Sequence, residues 1–198
     1  MTLSADLDKL VTKAASLQKE RGFGARIAID GPSGSGKTTL AFKLVEMFDL
    51  AFVVQTDTFH IPLEAARRLL PEKGRPGAMI DWQRFRETVL HRQSRGEEIR
   101  IDWIHPLTGE LAAAHVVDPR TILICDGTFS TRSELQSLYD FRLFVDAPAE
   151  IRRERITLRD ATMGADWTDY IQNVWIPEEN RYLEWAREQA YDLAIEGR

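Results

Sequence analysis

Gly31-Pro32-Ser33-Gly34-Ser35-Gly36-Lys37-Thr38 sits between an apolar run and a helical pattern. It fits G-x-x-x-x-G-K-[ST], and its surroundings are those the pattern requires: Ala25 to Asp30 reads as a buried strand before it, Thr38 to Phe48 as a helix after it. Glycines let the backbone wrap closely around phosphate groups. Successive N–H groups and the helix N-terminus then supply positive potential there. Gly31, Ser33, Gly34, Ser35, Gly36, Lys37, Thr38 and Thr39 are the candidate nucleotide-binding residues. Lys37 is expected to reach the β- and γ-phosphate oxygens and Thr38 to ligate magnesium.

Outward from this loop the chain alternates. Leu3, Leu7, Leu10, Ala14 and Leu17 fall on one face of a helix over residues 3 to 20. Further strands are predicted at Ala51 to Gln55, Thr121 to Cys125, Phe141 to Val145 and Asp192 to Glu196. Helices are predicted at Arg132 to Tyr139, Ala149 to Arg159 and over most of Trp167 to Ala190, with Pro177 starting a new helix. Between Asp57 and Asp118 the pattern is less regular. Leu70-Pro71-Glu72-Lys73-Gly74-Arg75-Pro76-Gly77 reads as a loop, and Asp81 can cap a helix running to about Ser94. Glu98 to Ile104 and Glu110 to Val117 read as a hairpin around Pro106-Leu107-Thr108-Gly109. Five apolar strands alternating with helices predict an α/β fold of the P-loop NTPase type: three layers around a five-stranded parallel sheet, with a substrate-side insertion at 58–118. One domain is the simplest organisation.

The 198 residues suffice for one such core, and 43% hydrophobic with 29% charged residues is ordinary globular usage. A net charge of -5 argues against a nucleic-acid partner. Neither the N-terminal stretch nor any later segment has the apolar length of a membrane span or signal peptide, so a cytoplasmic protein is expected. The single cysteine, Cys125, falls in a predicted buried strand and reads as a small hydrophobe.

Ligands of open parallel sheets gather beyond the carboxyl ends of the strands. Asp57, Asp126 and Asp146 each end an apolar run there. Phosphoryl transfer needs one carboxylate near the acceptor hydroxyl and one holding magnesium through its water shell. Asp57 is the candidate for the first role, with turn capping as its competing reading. Asp126 is the candidate for the second, with an Asp-Gly turn as the alternative. Asp146 reads as a helix cap.

So placed, the motifs resemble the uridine kinase and phosphoribulokinase family of P-loop kinases from Arg26 to Glu196. The resemblance rests on Gly31 to Leu40, Thr56-Asp57-Thr58-Phe59, Asp81-Trp82-Gln83-Arg84-Phe85, Ile122 to Gly127, Phe141 to Asp160, Tyr170 to Tyr182 and Tyr191-Asp192-Leu193-Ala194-Ile195. It implies an ATP- and magnesium-dependent kinase acting on a small hydroxyl-bearing acceptor, a nucleoside or similar metabolite. It also implies a lid at about 155–168, that Asp57 serves the acceptor hydroxyl and that Arg155 and Arg159 are lid arginines at the transferring phosphates, ahead of Arg152 and Arg153. The competing reading of these arginines is a solvated helix face paired with Glu150 and Glu154. Trp82 and Arg84 are further acceptor-side candidates, as are Asp102 for a sugar hydroxyl and His105 for a ring. Family members are often oligomeric, so a homo-oligomer is the expectation the resemblance carries.

Two departures stand out. Asp126 occupies a position where the family usually has Glu, and Ile101-Asp102-Trp103-Ile104-His105 lacks the Tyr that uridine kinases offer the pyrimidine. The acceptor therefore stays open among nucleosides, vitamin precursors, sugars and sugar phosphates. A nucleotide-dependent switch or simple NTPase is the alternative function. Against it, the chain has no N-K-x-D signature.

Overall fold

The structure is a computed structural model that describes residues 2–62, 65, 76–105, 108–161 and 164–197. Five strands form one parallel sheet: β1 (Arg26–Asp30), β2 (Ala51–Gln55), β5 (Ile122–Asp126), β6 (Phe141–Asp146) and β7 (Leu193–Glu196), in the order β2-β5-β1-β6-β7. The central position of β1, between β5 and β6, makes its carboxyl end the switch point of the topology. The phosphate loop begins there.

Alternation within the strands divides the core into two layers. Ile27, Ile29, Ile122, Ile124, Leu143 and Val145 face one side, where α1 (Leu3–Arg21) contributes Leu7, Leu10 and Ala14 and α2 (Lys37–Val45) contributes Leu40, Ala41 and Leu44. Ala28, Leu123, Cys125 and Phe144 face the other side. That second layer is closed by two long helices, each built from three consecutive pieces. The first, α3, comprises Trp82–Phe85, Arg86–Leu90 and His91–Ser94. As its sequence predicts, Asp81 caps it: the carboxylate accepts from the Arg84 N–H at 2.9 Å. Both faces of the sheet are thus covered, which explains why its strands read as near-continuous apolar runs. Burial also pushes the Cys125 thiol up to about 12, as befits a packed hydrophobe.

A two-stranded antiparallel sheet, β3 (Ile99–Ile104) with β4 (Leu111–Val117), forms the predicted hairpin. Of its predicted turn, Pro106 and Leu107 lie outside the described residues. So does most of the predicted loop at 70–77, from which only Pro76 and Gly77 are described.

One expectation is corrected. Arg132 to Tyr139 is not an α-helix; only Gln136–Leu138 forms a 3-10 turn. Its bonds run from residue i to i−3, as in Leu135 N–H to Arg132 and Leu138 N–H to Leu135, so the segment is a chain of tight turns. That winding sets Leu135 and Leu138 above one another against the core. Pro177 stands in the first turn of the last helical piece, Ile176–Ala186, as its sequence predicts. The last helix, α5, runs unbroken through Ala165–Tyr170, Ile171–Trp175 and Ile176–Ala186. Its middle piece is a π-type turn, closed by the Ile176 N–H on the Ile171 carbonyl. A wide turn just before Pro177 absorbs the ring that cannot donate a bond in the helix ladder.

Candidate active site

β1 delivers the chain into the phosphate loop, and α2 leaves it at Lys37. Gly34 adopts φ 76, and a Cβ there would stand 2.7 Å from the Arg152 carbonyl of α4 (Ala149–Asp160). Only glycine fits, in both conformation and space. Gly31 is pinned similarly, with the Val145 backbone of β6 against its Cα. The Lys37 amine, largely buried, donates to the Pro32 carbonyl at 2.8 Å, so it lies folded back over the loop.

The loop opens into a cleft of about 570 Å³. Ser33, Gly34, Ser35, Gly36, Lys37, Thr38 and Thr39 line one wall. Asp57, at the carboxyl end of β2, and Asp126, at that of β5, stand opposite them. Arg155 and Arg159 of α4 close the rim. The Arg155 guanidinium donates to the Gly34 carbonyl at 3.0 Å, and Arg159 holds Asp160 through two bonds of 2.7 and 3.1 Å. Arg153 is exposed and does not line the cleft.

Electrostatics differ between the two carboxylates. The Thr38 hydroxyl donates to Asp126 Oδ2 at 2.7 Å, whereas Oδ1 is buried without a partner among the described residues. Burial pushes the Asp126 pKa up, and Lys37 and the Thr38 hydroxyl pull it back. Asp57 is exposed to the open cleft, with Lys37, Asp126 and Arg159 lining the same space around it. Desolvation by the cleft walls raises its pKa against the opposing charges of Lys37 and Arg159, and Glu179 adds to the rise. A carboxylate raised in this way, facing the space beyond the phosphate loop, is suited to accept a proton.

Thr38 and Asp126 also fit magnesium. That ion takes few ligands from protein and the rest from phosphate and water, and the unpartnered Asp126 oxygen beside the Thr38 hydroxyl offers such a partial set. Among the described residues no group of three or more His, Cys, Asp or Glu forms an all-protein metal cage.

The remaining predicted residues stand outside the lining of this cleft. The Trp82 indole donates to the Gly77 carbonyl at 2.7 Å and carries the Arg132 guanidinium on its ring. Arg84 donates to the Thr58 carbonyl and lies over Phe59. On the hairpin, Asp102 accepts from Arg100 and His105 accepts from the Thr108 N–H.

Several cleft-building residues carry no motif. Asp30, fully buried at the end of β1, accepts five hydrogen bonds: from the N–H groups of Gly31, Phe129 and Thr131, the Thr131 hydroxyl, and the Tyr182 hydroxyl at 2.5 Å. Burial raises its pKa, and these donors oppose the rise. The bonds tie the phosphate loop to the loop after β5. There Phe129 holds φ 72, a strained value for a bulky side chain. Tyr182→Phe removes one charge-assisted bond from this knot, and is expected to cost about 2 kcal/mol. Urea denaturation measures it as a lower midpoint at unchanged slope. Trp175 and Glu179, also of α5, bind Ser33. Trp175, Glu179 and Tyr182 share one face of α5 at i, i+4, i+7 spacing, but that spacing alone does not mark a partner in the phosphate loop.

Parallel sheet, switch-point loop and cleft together define a P-loop nucleotide-binding protein. Residues 27–175 match the family model described as an AAA domain, and the chain belongs to that family. Curated proteins similar to it include uridine kinases, in line with the resemblance its motifs carry. It is 22% identical to the uridine-cytidine kinase C of Dictyostelium discoideum over 65% of this chain and 28% of that protein. It is 26% identical to a uridine kinase of Chlamydia pneumoniae over 86% of this chain and 81% of that one. The chain therefore spans less than a third of the first relative's length and most of the second's. Its fold matches that of a candidate fructose transport system kinase from Silicibacter sp. TM1040, with TM-score 0.66, 23% identity and 98% of each chain covered.

Proposed function

We propose that the chain is an ATP- and magnesium-dependent kinase that transfers the γ-phosphoryl group to a hydroxyl of a small acceptor, a nucleoside or similar metabolite. The observation that supports this best is the meeting of Lys37, the Thr38–Asp126 pair and Asp57 in one cleft beyond β1. The kinase names of its relatives agree with a phosphotransferase that uses an alcohol acceptor.

In this reading the loop N–H groups hold the β- and γ-phosphates, and Lys37 leaves the Pro32 carbonyl to join them. Thr38 and Asp126 hold magnesium, which when bound neutralises phosphate charge. Asp57 orients the acceptor hydroxyl and takes its proton. Arg155 and Arg159 stabilise charge on the transferring group as the lid at about 155–168 closes and excludes water; Thr162 and Met163 of that segment lie outside the described residues. Residues 58–118 form the acceptor side, on which Trp82, Arg84, Asp102 and His105 serve binding. A homo-oligomer is part of the same reading. Among the described residues no helix is long and apolar enough to cross a membrane.

The test is ADP formation from ATP and magnesium across nucleosides, vitamins, sugars and sugar phosphates. One class of acceptor is expected to raise the rate at least tenfold over the acceptor-free rate. Equal rates with and without every acceptor would favour the switch or NTPase reading.

A further inference from the structure

α5 touches the phosphate loop at three points, spaced so that all lie on one helix face. The Trp175 indole donates to the Ser33 hydroxyl at 3.0 Å, and the Glu179 carboxylate accepts from the Ser33 N–H at 2.8 Å. One turn further, the Tyr182 hydroxyl donates to Asp30 at the loop's root. The π-type turn Ile171–Trp175 leads directly into this face.

Glu179 is the unexpected member. Its residue is 0% exposed. A buried carboxylate next to a loop built for polyanions is electrostatically unfavourable, and repulsion from a bound triphosphate adds to the cost of its desolvation. The surroundings offset this cost. Oε2 accepts from the Ser33 N–H and from Trp175 at 3.2 Å, and Oε1 pairs with Arg152 at 3.3 Å. Arg152 in turn donates to the Ala147 carbonyl, and its own carbonyl crowds Gly34. The first half of the loop is therefore held between α4 and α5. Both helices run into the proposed lid at about 155–168, α4 at its start and α5 at its end.

We infer that Glu179 is a positioning residue for nucleotide binding, acting through the backbone of Ser33 to fix the shape in which the phosphate loop meets the triphosphate. The inference rests on reading the cleft as a nucleotide site and deepens it. The residue touches neither donor nor acceptor. Its contribution is preorganisation, so the effect falls on donor affinity and not on acceptor affinity.

Two substitutions separate this role from general support of the fold. Glu179→Asp keeps the charge and a partner for Arg152 but is one methylene too short to span to Ser33. Glu179→Gln keeps the length and an acceptor oxygen for the Ser33 N–H but gives up the charge. The measurement is equilibrium binding of a non-hydrolysable ATP analogue with magnesium to the full chain, with no turnover required. Glu179→Asp is expected to bind about tenfold more weakly, and Glu179→Gln within about threefold of the unaltered protein. The KM for the acceptor is expected to stay within about twofold in both, since their common target is the donor side. Undiminished binding by Glu179→Asp, or binding by Glu179→Gln as weak as that of Glu179→Asp, overturns the inference and leaves the kinase reading intact. If the unaltered protein binds no analogue, the nucleotide site itself is wrong and the inference falls with it.

Discussion

Lys37→Ala is expected to lower acceptor-dependent ADP formation by about 10³-fold, with a melting temperature close to that of the unaltered protein. The side chain has one hydrogen bond to the Pro32 carbonyl and is largely buried in the cleft wall, so the resting fold gains little from its charge. Its value arises when phosphate arrives. Charge that develops on the transferring group inside a partly enclosed cleft is screened poorly by water, and a preorganised cation there stabilises the transition state more than the ground state. Initial rates at saturating ATP, with a thermal melt alongside, measure both halves of the expectation. A loss of less than tenfold in a folded variant would remove Lys37 from the chemistry.

The second large effect is expected at Asp57. Asp57→Asn should lower kcat by about 10²- to 10⁴-fold and change the KM for ATP by no more than about threefold, because a general base acts on the acceptor and not on the donor. The pH dependence follows from the direction of the shift. Desolvation by the cleft walls raises the Asp57 pKa, and the base is active only when ionised, so activity grows as pH rises through that raised value. The acid limb of kcat/KM therefore lies at higher pH than an ordinary carboxylate would place it. Asparagine cannot titrate, so the variant's residual activity should lack that limb. A variant with an unchanged acid limb would show that another group carries the proton.

The phosphate loop, the strands and most helices were legible because each obeys a local rule. Gly31 to Thr38 carries its own signature, the apolar runs of β1, β5 and β6 match strands buried on both faces, and Asp81 is a helix cap written in the chain. Arg132 to Tyr139 misled because Leu135 and Tyr139 stand four apart, as on a helix, while the segment is wound as tight turns. Pro177 does mark the first turn of the last helical piece, but no local pattern announces the wide turn that joins this piece to the ones before it. In the cleft, Asp57 and Asp126 were legible as strand-end carboxylates. Asp30, Glu179 and Tyr182 were not. A glutamate on an amphipathic helix reads as a solvated face, and the buried role of Glu179 depends on Ser33, 146 residues earlier in the chain. Long-range partnership of that kind leaves no mark in a local window.

The central claim is that the γ-phosphoryl group passes to an acceptor and not to water. A single turnover with ATP labelled in its γ-phosphate, run with magnesium and the best acceptor, follows the label directly. The account predicts that the label appears on the acceptor, that inorganic phosphate stays a minor product, and that Asp57→Asn suppresses the transfer. Label released as inorganic phosphate at the same rate with or without acceptor, and unaffected by Asp57→Asn, would contradict it.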